Sequence, residues 1–108
     1  MEGLELTAFQ IISSVDTARS CYIEAIQAAK KSDYEEAEKL IKEGDEAFIE
    51  GHDAHAGLLQ KEASGEGNTV NLLILHAEDQ LMSAEAFKTI ALEFIDAYKR
   101  IEALEKQA

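Results

Sequence analysis

The chain has 108 residues, 46% of them hydrophobic, which is enough for a single folded domain with a modest core. It carries 22 acidic and 10 basic residues, and the formal net charge of -12 disfavours nucleic acid and anionic membranes while favouring a basic or neutral protein partner. No secretion signal and no apolar stretch of membrane-spanning length is visible, so we expect a cytoplasmic protein without direct membrane insertion.

The first predicted helix covers residues 7–31 and has apolar residues at alternating three- and four-residue intervals. This seam consists of Ala8, Ile11 or Ile12, Val15, Ala18, Tyr22, Ala25 or Ile26, and Ala29. The only cysteine, Cys21, lies among these residues, and a single cysteine cannot form an internal disulfide. We expect Cys21 to be buried in a reducing compartment, with a redox role as the alternative.

Two breaks separate the remaining helices. Asp33 followed by Glu36 has the spacing of a capping box that starts a helix over 33–63, and the glycine-containing segment 63–68 precedes a third helix over 69–106. The second seam is Tyr34, Ala37, Ile41, Gly44, Phe48, Gly51, His55 and Leu58. The third is Val70, Leu73, Ala77, Leu81, Ala84, Ala91 and Ile95. Such seams predict an all-α, up-down-up antiparallel three-helix bundle that forms one domain over residues 1–108.

The third helix has a second apolar face, which we call the apolar arc. On a helical projection the arc includes His76 and Asp79 among the apolar residues Leu72, Leu75, Ala86, Ile90, Phe94, Ala97 and Ile101. The strip expected to be freely solvated is Glu78, Glu85, Thr89 and Asp96. Two neighbouring helices cannot cover both faces, so the pattern predicts self-association through the third helix.

His76 is the main functional candidate, because an ionisable side chain on an apolar surface is costly unless it is partnered or used. The sequence has no His-Glu-x-x-His or Glu-x-x-His motif, which argues against the helical zinc and di-iron patterns. A neutral imidazole can instead be a nucleophile that accepts and later releases a phosphoryl group. The alternative is a structural histidine that is satisfied within the core.

Asp79 follows His76 by three residues and lies on the same side of the helix. In a cyclic assembly packed through the apolar arc, copies of this carboxylate would converge near the symmetry axis, where their repulsion requires protonation or a cation. Oxygen ligands from several subunits suit a hard divalent ion such as Mg2+. The alternative is a rim residue bonded to a neighbouring lysine.

Four segments carry a resemblance to a known family. Around the histidine the chain reads His76-Ala77-Glu78-Asp79-Gln80-Leu81-Met82, and before the second break it reads Leu58-Leu59-Gln60-Lys61-Glu62-Ala63-Ser64-Gly65. The first helix contains Asp16-Thr17-Ala18-Arg19-Ser20, and the third helix contains Ala97-Tyr98-Lys99-Arg100. Along nearly the whole chain and at matching spacing, these segments resemble the lactose/cellobiose/chitobiose-type enzyme IIA component of the bacterial phosphoenolpyruvate-dependent sugar phosphotransferase system.

The resemblance implies a homotrimer of three-helix subunits that transfers phosphoryl groups through a phosphohistidine. His76 would accept the group from the phosphorylated carrier protein HPr and pass it to a cysteine of enzyme IIB during uptake of lactose-, cellobiose- or chitobiose-type sugars. Asp79 matches the family aspartate that meets its two copies around a structural metal at the three-fold axis, where we expect Mg2+ or another divalent cation.

The chain departs from the family pattern at several positions. Gln80 replaces a histidine and Glu78 replaces a glutamine, and helical geometry points Glu78 away from His76. His55 stands where relatives tend to carry glutamine, and it could hydrogen-bond a phosphorylated His76 of a neighbouring subunit. A plain core or interface histidine is the favoured alternative. His55 and Gln80 are therefore candidates for support of the phosphate or of the interface.

Two other functions stay open on the sequence. The same fold could serve as a regulatory protein-binding module in which phosphorylation of His76 changes the choice of partner. It could also be a purely structural helical oligomer, which is the default class for an acidic helical bundle. The sequence does not indicate the sugar, because in such a system the membrane component selects it.

Overall fold

The computed structural model describes residues 3–67 and 70–108, which contain three helices and no strand. Helix α1 spans Gly3–Lys30, α2 spans Tyr34–Ala63 and α3 spans Leu72–Gln107. The helices lie side by side in a rod of 61 × 22 × 20 Å. The predicted all-helical, three-helix architecture is confirmed. Over the described residues, no helix combines the length and the apolar character needed to cross a membrane.

Contacts between the helices give their directions. Along α1 from Ser14 to Tyr22, the hydrogen-bonded partners on α2 go back from Gly51 to Asp45, so these two helices are antiparallel. Helices α2 and α3 are antiparallel as well, because ion pairs join them at His55–Glu78, Asp45–Lys88 and Glu38–Lys99. The order is therefore up-down-up. This order places α1 and α3 parallel to each other.

Side-chain caps set the starts of α2 and α3. The Asp33 carboxylate accepts a hydrogen bond from the Glu36 backbone N–H at 3.2 Å, as the capping-box spacing predicts. The Asn71 side chain accepts one from the Ile74 backbone N–H at 3.0 Å, and α3 begins after it. The predicted start at residue 69 lies outside the described residues, but Val70 precedes the helix. The prediction that Val70 belongs to the buried seam of α3 was wrong, because Val70 is exposed. Ile74 is the first buried residue of this helix.

The turn between α1 and α2 reverses the chain within a few residues. Helix α1 begins at Gly3 rather than at residue 7 and ends at Lys30, after which Ser32 has a φ of 64°. The Ser32 backbone N–H donates to the Ala29 carbonyl at 2.9 Å, and the Asp33 N–H donates to the Ala28 carbonyl at 2.9 Å. A left-handed residue commonly ends a helix in this way, but glycine is the residue that adopts it without steric cost.

Helix α1 packs against both other helices, whereas α2 and α3 touch each other far less. Its predicted seam is buried throughout, and the two open choices fall on Ile11 and Ala25 rather than on Ile12 and Ile26. Ser14 is buried in addition, although the apolar pattern did not mark it. The central helix therefore carries most of the core.

Helix α2 approaches α1 closely at two glycines of its predicted seam. A Cβ atom on Gly51 would lie 2.8 Å from Val15 Cγ1, and one on Gly44 would lie 2.6 Å from Tyr22 Cε1. The Ser14 hydroxyl accepts a hydrogen bond from the Gly51 backbone N–H at 2.9 Å. Because these glycines of α2 have no side chain, larger side chains of α1 fill the space between the two helices.

A polar contact joins all three helices near the middle of the rod. The buried Tyr22 hydroxyl of α1 donates a hydrogen bond to Asp45 Oδ1 of α2 at 2.6 Å, and Lys88 Nζ of α3 lies 3.1 Å from Asp45 Oδ2. Burial, and then the hydrogen bond and the charge of Asp45, raise the pKa of Tyr22 well above its usual value. This contact links the three helices at one level of the rod.

Cys21 is partly buried on α1. Burial is the main cause that raises the pKa of its thiol, and the nearby charges of Glu43 and Glu24 raise it further. A thiol that stays protonated is a weak nucleophile. The environment of Cys21 therefore favours the structural role over the redox role.

Candidate functional site

His76 lies within the first two turns of α3, and its side chain is exposed. The asparagine cap at the start of the helix orders this segment. Two neighbours of His76 on the apolar arc, Leu72 and Leu75, are 82% and 52% exposed. A histidine satisfied in the core of one subunit, the alternative left open by the sequence, does not fit this position. The imidazole is accessible to a reaction partner.

The apolar arc is exposed along the length of α3. Its large exposed members are Leu72, Leu75, Ile90, Phe94 and Ile101, and Met82 and Leu104 extend it. Large apolar side chains exposed at intervals from Leu72 to Leu104 are more than an isolated monomer normally leaves in water on one helix face. The structure therefore leaves uncovered the face that the sequence marked for self-association.

Asp79 is exposed on the same face, one turn after His76. Within 3–67 and 70–108, no lysine or arginine forms an ion pair with it, so the alternative of a lysine-bonded rim residue is not observed. The described part of the chain also has no group of three histidine, cysteine, aspartate or glutamate side chains that could hold a metal ion. A metal site at Asp79 would need carboxylates from other copies of the chain.

Gln80 is bound to α1 through an arginine. Arg19 Nη1 donates hydrogen bonds to Gln80 Oε1 at 2.6 Å and to Ser83 Oγ at 3.3 Å, and Arg19 Nη2 donates to Asp16 Oδ1 at 3.2 Å. The Arg19 side chain is only 28% exposed. Gln80 and Ser83 follow His76 by one and two helical turns on the same side of α3. The positively charged guanidinium of Arg19 is therefore held along the face of α3 that carries His76.

His55 is bound within its own subunit. Its Nε2 lies 2.9 Å from Glu78 Oε1, and the His55 side chain is largely buried between α2 and α3. The expectation that Glu78 is freely solvated was wrong, because α2 passes close enough to supply this partner. Glu78 does point away from the side of α3 that carries His76. A hydrogen bond from His55 to a phosphorylated His76 of another subunit stays a prediction. It would have to use Nδ1 of His55, because Nε2 is bound to Glu78.

Sequence reasoning did not assign a role to Arg19 or Ser83. Arg19 entered only through the segment 16–20 of the family resemblance, and Ser83 not at all. The register of the bundle is what brings Arg19 to Gln80 and Ser83. Arg19 follows the buried Ala18 of α1, and Gln80 lies beside the core seam of the parallel helix α3. Knowing which residues of α1 and α3 lie at the same level requires the structure.

The fold and the site together define a small all-helical protein that presents one exposed histidine on an apolar helix face. Residues 6–99 match the family model described as "PTS system, Lactose/Cellobiose specific IIA subunit". The chain belongs to this family, and the resemblance drawn from the sequence motifs is confirmed. Membership gives the chain a role in a sugar phosphotransferase system.

Individual relatives are similar over almost their whole length. The "Lichenan-specific phosphotransferase enzyme IIA component" of Bacillus subtilis is 41% identical over 100 residues, which cover 93% of this chain and 91% of the relative. The "PTS system oligo-beta-mannoside-specific EIIA component" of the same organism is 38% identical over 95 residues, covering 88% and 86%. The crystal structure of the PTS cellobiose-specific enzyme IIA from Bacillus anthracis has a TM-score of 0.90 and 39% identity, and the match covers 95% of each chain.

Proposed function

We propose that this chain is a phosphocarrier that accepts a phosphoryl group from phosphorylated HPr on His76 and passes it to a cysteine of enzyme IIB. The observation that carries the proposal is the exposed imidazole of His76 on an apolar face, in a member of the IIA family. An accessible nitrogen on a fixed helix is the main requirement for in-line phosphoryl transfer. The chain would therefore act as a phosphotransferase through a phosphohistidine.

The chemistry exchanges one phosphorus bond for another. An unprotonated nitrogen of His76 attacks the phosphorus of the donor phosphohistidine, and the N–P bond in HPr breaks as the new N–P bond forms. The second nitrogen of each ring keeps its proton, so no net proton moves. In the next step the thiolate of enzyme IIB attacks the phosphorus, an S–P bond forms, and His76 leaves as a neutral imidazole.

The apolar arc is the proposed subunit interface of a homotrimer. Its exposed leucine, isoleucine, phenylalanine and methionine side chains run along the whole of α3, and burial against copies of the same helix would remove them from water. Burial of the arc would also exclude water from the side chains around His76, while the imidazole itself must stay open to HPr and enzyme IIB. Exclusion of water protects a phosphohistidine, whose N–P bond is labile to hydrolysis.

Asp79 is the proposed ligand of a structural divalent cation on the three-fold axis. Its carboxylate offers the hard oxygen ligand that Mg2+ prefers, and it makes no ion pair with a lysine or arginine in the described part of the chain. Three copies of Asp79 brought together among apolar side chains would repel each other, and a cation would neutralise them. The ion would stabilise the assembly and take no part in phosphoryl transfer.

The partners are proteins, and the charge of the chain supports this. A net charge of -12 attracts a donor with basic residues around its own phosphohistidine, and it accelerates encounter more than it adds affinity. Attraction between an acidic chain and basic partners suits a component that must bind two partners in turn, HPr as the donor and enzyme IIB as the acceptor. Fast association at low ionic strength and slower association at high ionic strength are expected.

The function is tested by transfer of radiolabel from phosphoenolpyruvate through enzyme I and HPr. The wild-type chain should become labelled, and a His76→Ala variant should lose all label, whereas a His52→Ala variant on the exposed surface of α2 should keep it. Label on His76→Ala equal to the wild type would refute the assignment of His76. The identity of the modified residue can be checked by mass spectrometry under alkaline conditions, because phosphohistidine is acid-labile.

The second candidate is a regulatory module of the same fold that is switched by phosphorylation of His76. Addition of enzyme IIB separates the two functions, because a transport component should lose its label to the cysteine of IIB and a regulator should keep it. The relatives act on different sugars according to their names, including lichenan, oligo-beta-mannosides and cellobiose. The proposal therefore extends to sugars of the lactose, cellobiose or chitobiose type and not to one of them.

A further inference from the structure

The orientation of the Gln80 side-chain amide is determined by Arg19. A guanidinium group has only donors, so the amide atom that faces Arg19 Nη1 at 2.6 Å must be the oxygen Oε1. The amide nitrogen Nε2 consequently points away from Arg19. No group in residues 3–67 or 70–108 accepts a hydrogen bond from it, and it keeps two free N–H donors.

Arg19 is held firmly enough to enforce this orientation. Its guanidinium binds Asp16 on its own helix and both Gln80 and Ser83 on α3, and it is largely shielded from water. The arginine charge also polarises the Gln80 amide through Oε1, which makes the N–H groups of Nε2 stronger donors. Arg19 thereby prepares a donor on α3 without contacting His76.

Helix geometry puts Gln80 next to the place where a phosphoryl group on His76 would be. Gln80 follows His76 by four residues, and the two Cβ atoms of such a pair are about 5–6 Å apart on one helix face. Helical side chains lean toward the N-terminus, so the Gln80 side chain extends over the turn that carries His76. Asp79, the other polar neighbour on this face, offers only acceptors when it is ionised.

We infer that Gln80 binds the phosphoryl group: Nε2 donates a hydrogen bond to a non-bridging phosphoryl oxygen on His76, and Arg19 is the positioning residue that aims this donor. The inference rests on the proposed function of His76. It gives a role to the amide at a position where the sequence departs from the pattern of the family that it resembles. An amide cannot lose its donor by deprotonation near neutral pH, so binding at this position does not depend on the protonation of a second imidazole.

Gln80→Glu is the sharpest variant. Glutamate keeps an oxygen for Arg19 and nearly the same shape, so we expect the fold to be preserved, but it replaces the two N–H donors with an acceptor and adds a negative charge. We expect the equilibrium for phosphoryl transfer from HPr to fall about tenfold or more. Gln27→Glu on the exposed surface of α1 makes the same chemical change and should have no effect.

A direct readout is the side-chain amide signal of Gln80 in a nitrogen-15 NMR spectrum, assigned by its loss in Gln80→Glu. Phosphorylation of the labelled wild-type protein should move one Gln80 N–H proton downfield, and the Gln27 amide should stay in place. An unchanged Gln80 signal on a protein that carries phosphate on His76 would overturn the inference and leave the proposed function intact. A wild-type protein that takes up no phosphate at all would refute the proposed function.

A double-mutant cycle tests the role of Arg19. Arg19→Met should weaken transfer when Gln80 is present, because the amide is no longer aimed. In a Gln80→Ala background Arg19→Met should have no further effect, since Arg19 acts only through the amide. A further loss in that background would mean that Arg19 acts by another route, through Ser83, Asp16 or the phosphoryl group itself, and the positioning role through Gln80 would be wrong. Wild-type transfer by both single variants would overturn the whole inference.

Discussion

The substitution Gly44→Ala tests how tightly α1 and α2 are packed. The new Cβ would lie 2.6 Å from Tyr22 Cε1 and 3.0 Å from Cδ1, closer than real Cβ contacts allow. The ring cannot move aside easily, because it is buried and its hydroxyl is bound to Asp45 at 2.6 Å. We therefore expect a steric cost of about 1–3 kcal/mol, the usual range for an overpacked core.

The same substitution at Gly57 is a matched control on the same helix. A Cβ there meets nothing within 4 Å, so Gly57→Ala gains the helix propensity of alanine, about 1 kcal/mol, without a clash. Gly44→Ala gains the same propensity and bears the steric cost in addition. The two variants should therefore differ in free energy of unfolding by about 1–3 kcal/mol, with Gly44→Ala the less stable.

The assay is urea denaturation followed by circular dichroism at one fixed protein concentration, because self-association would make stability depend on concentration. A difference of about 1 kcal/mol corresponds to about 4–8 °C in melting temperature for a domain of this size, so thermal scans give an independent check. If Gly44→Ala is as stable as Gly57→Ala, the close approach of Gly44 to Tyr22 does not exist in solution. A Tyr22→Leu background should remove most of the penalty.

Five further predictions concern Asp79, the cation, the turn and two titrating groups. Asp79→Leu should keep the proposed trimer intact in sedimentation, since it removes repelling charge and adds apolar area; monomers would contradict this. Mg2+ should raise the wild-type melting temperature and not that of this variant; a chelator without effect on the wild type would argue against an axial cation. Ser32→Gly should stabilise the chain by about 0.5–1 kcal/mol in urea denaturation, because glycine adopts the φ of 64° without strain; a lower midpoint would disprove that strain. Tyr22→Phe should be less stable than the wild type at neutral pH. The difference in free energy of unfolding between the two proteins should narrow above about pH 10. The Tyr22 phenol ionises there only in the unfolded chain, so the stability of the wild type falls as pH rises. A difference that stays constant would contradict the raised pKa of Tyr22. Cys21 should react with a disulfide reagent more slowly than a free thiol at about pH 8.5, and equal rates would show an ordinary thiol pKa.

The apolar pattern predicted the fold because each helix has a seam of its own. On α1 every predicted seam position is buried, since the helix is central and both of its faces must be covered. The pattern failed at Val70, because a cap residue, Asn71, starts α3 after it. It also missed Ser14, whose hydroxyl is buried because a glycine of α2 lies against it and supplies a hydrogen bond. Polar residues that are satisfied by another helix leave no trace in hydrophobic periodicity.

The sequence predicted where His76 and Asp79 lie on α3, but it did not predict the contacts of the side chains beside them. The helical projection placed His76 and Asp79 together on an exposed apolar face, because such a projection needs only one helix. The partners of Glu78 and Gln80 come from α2 and α1, and their identity depends on the relative register of the helices. Register is set by caps, turns and close contacts that act over the whole bundle, so a single-helix argument could not supply it.

The central place of α1 also dictates the order in which the molecule can be assembled. Helices α1 and α2 are joined by a turn of a few residues and can pair as a local hairpin at small entropic cost, whereas α3 meets α1 only across a long stretch of sequence. During synthesis the hairpin leaves the ribosome first, with the α3-facing side of α1 still bare. We therefore expect the helix that carries His76 to dock last, onto a hairpin that is already formed, and its outer apolar face stays open to chaperones and other chains after docking.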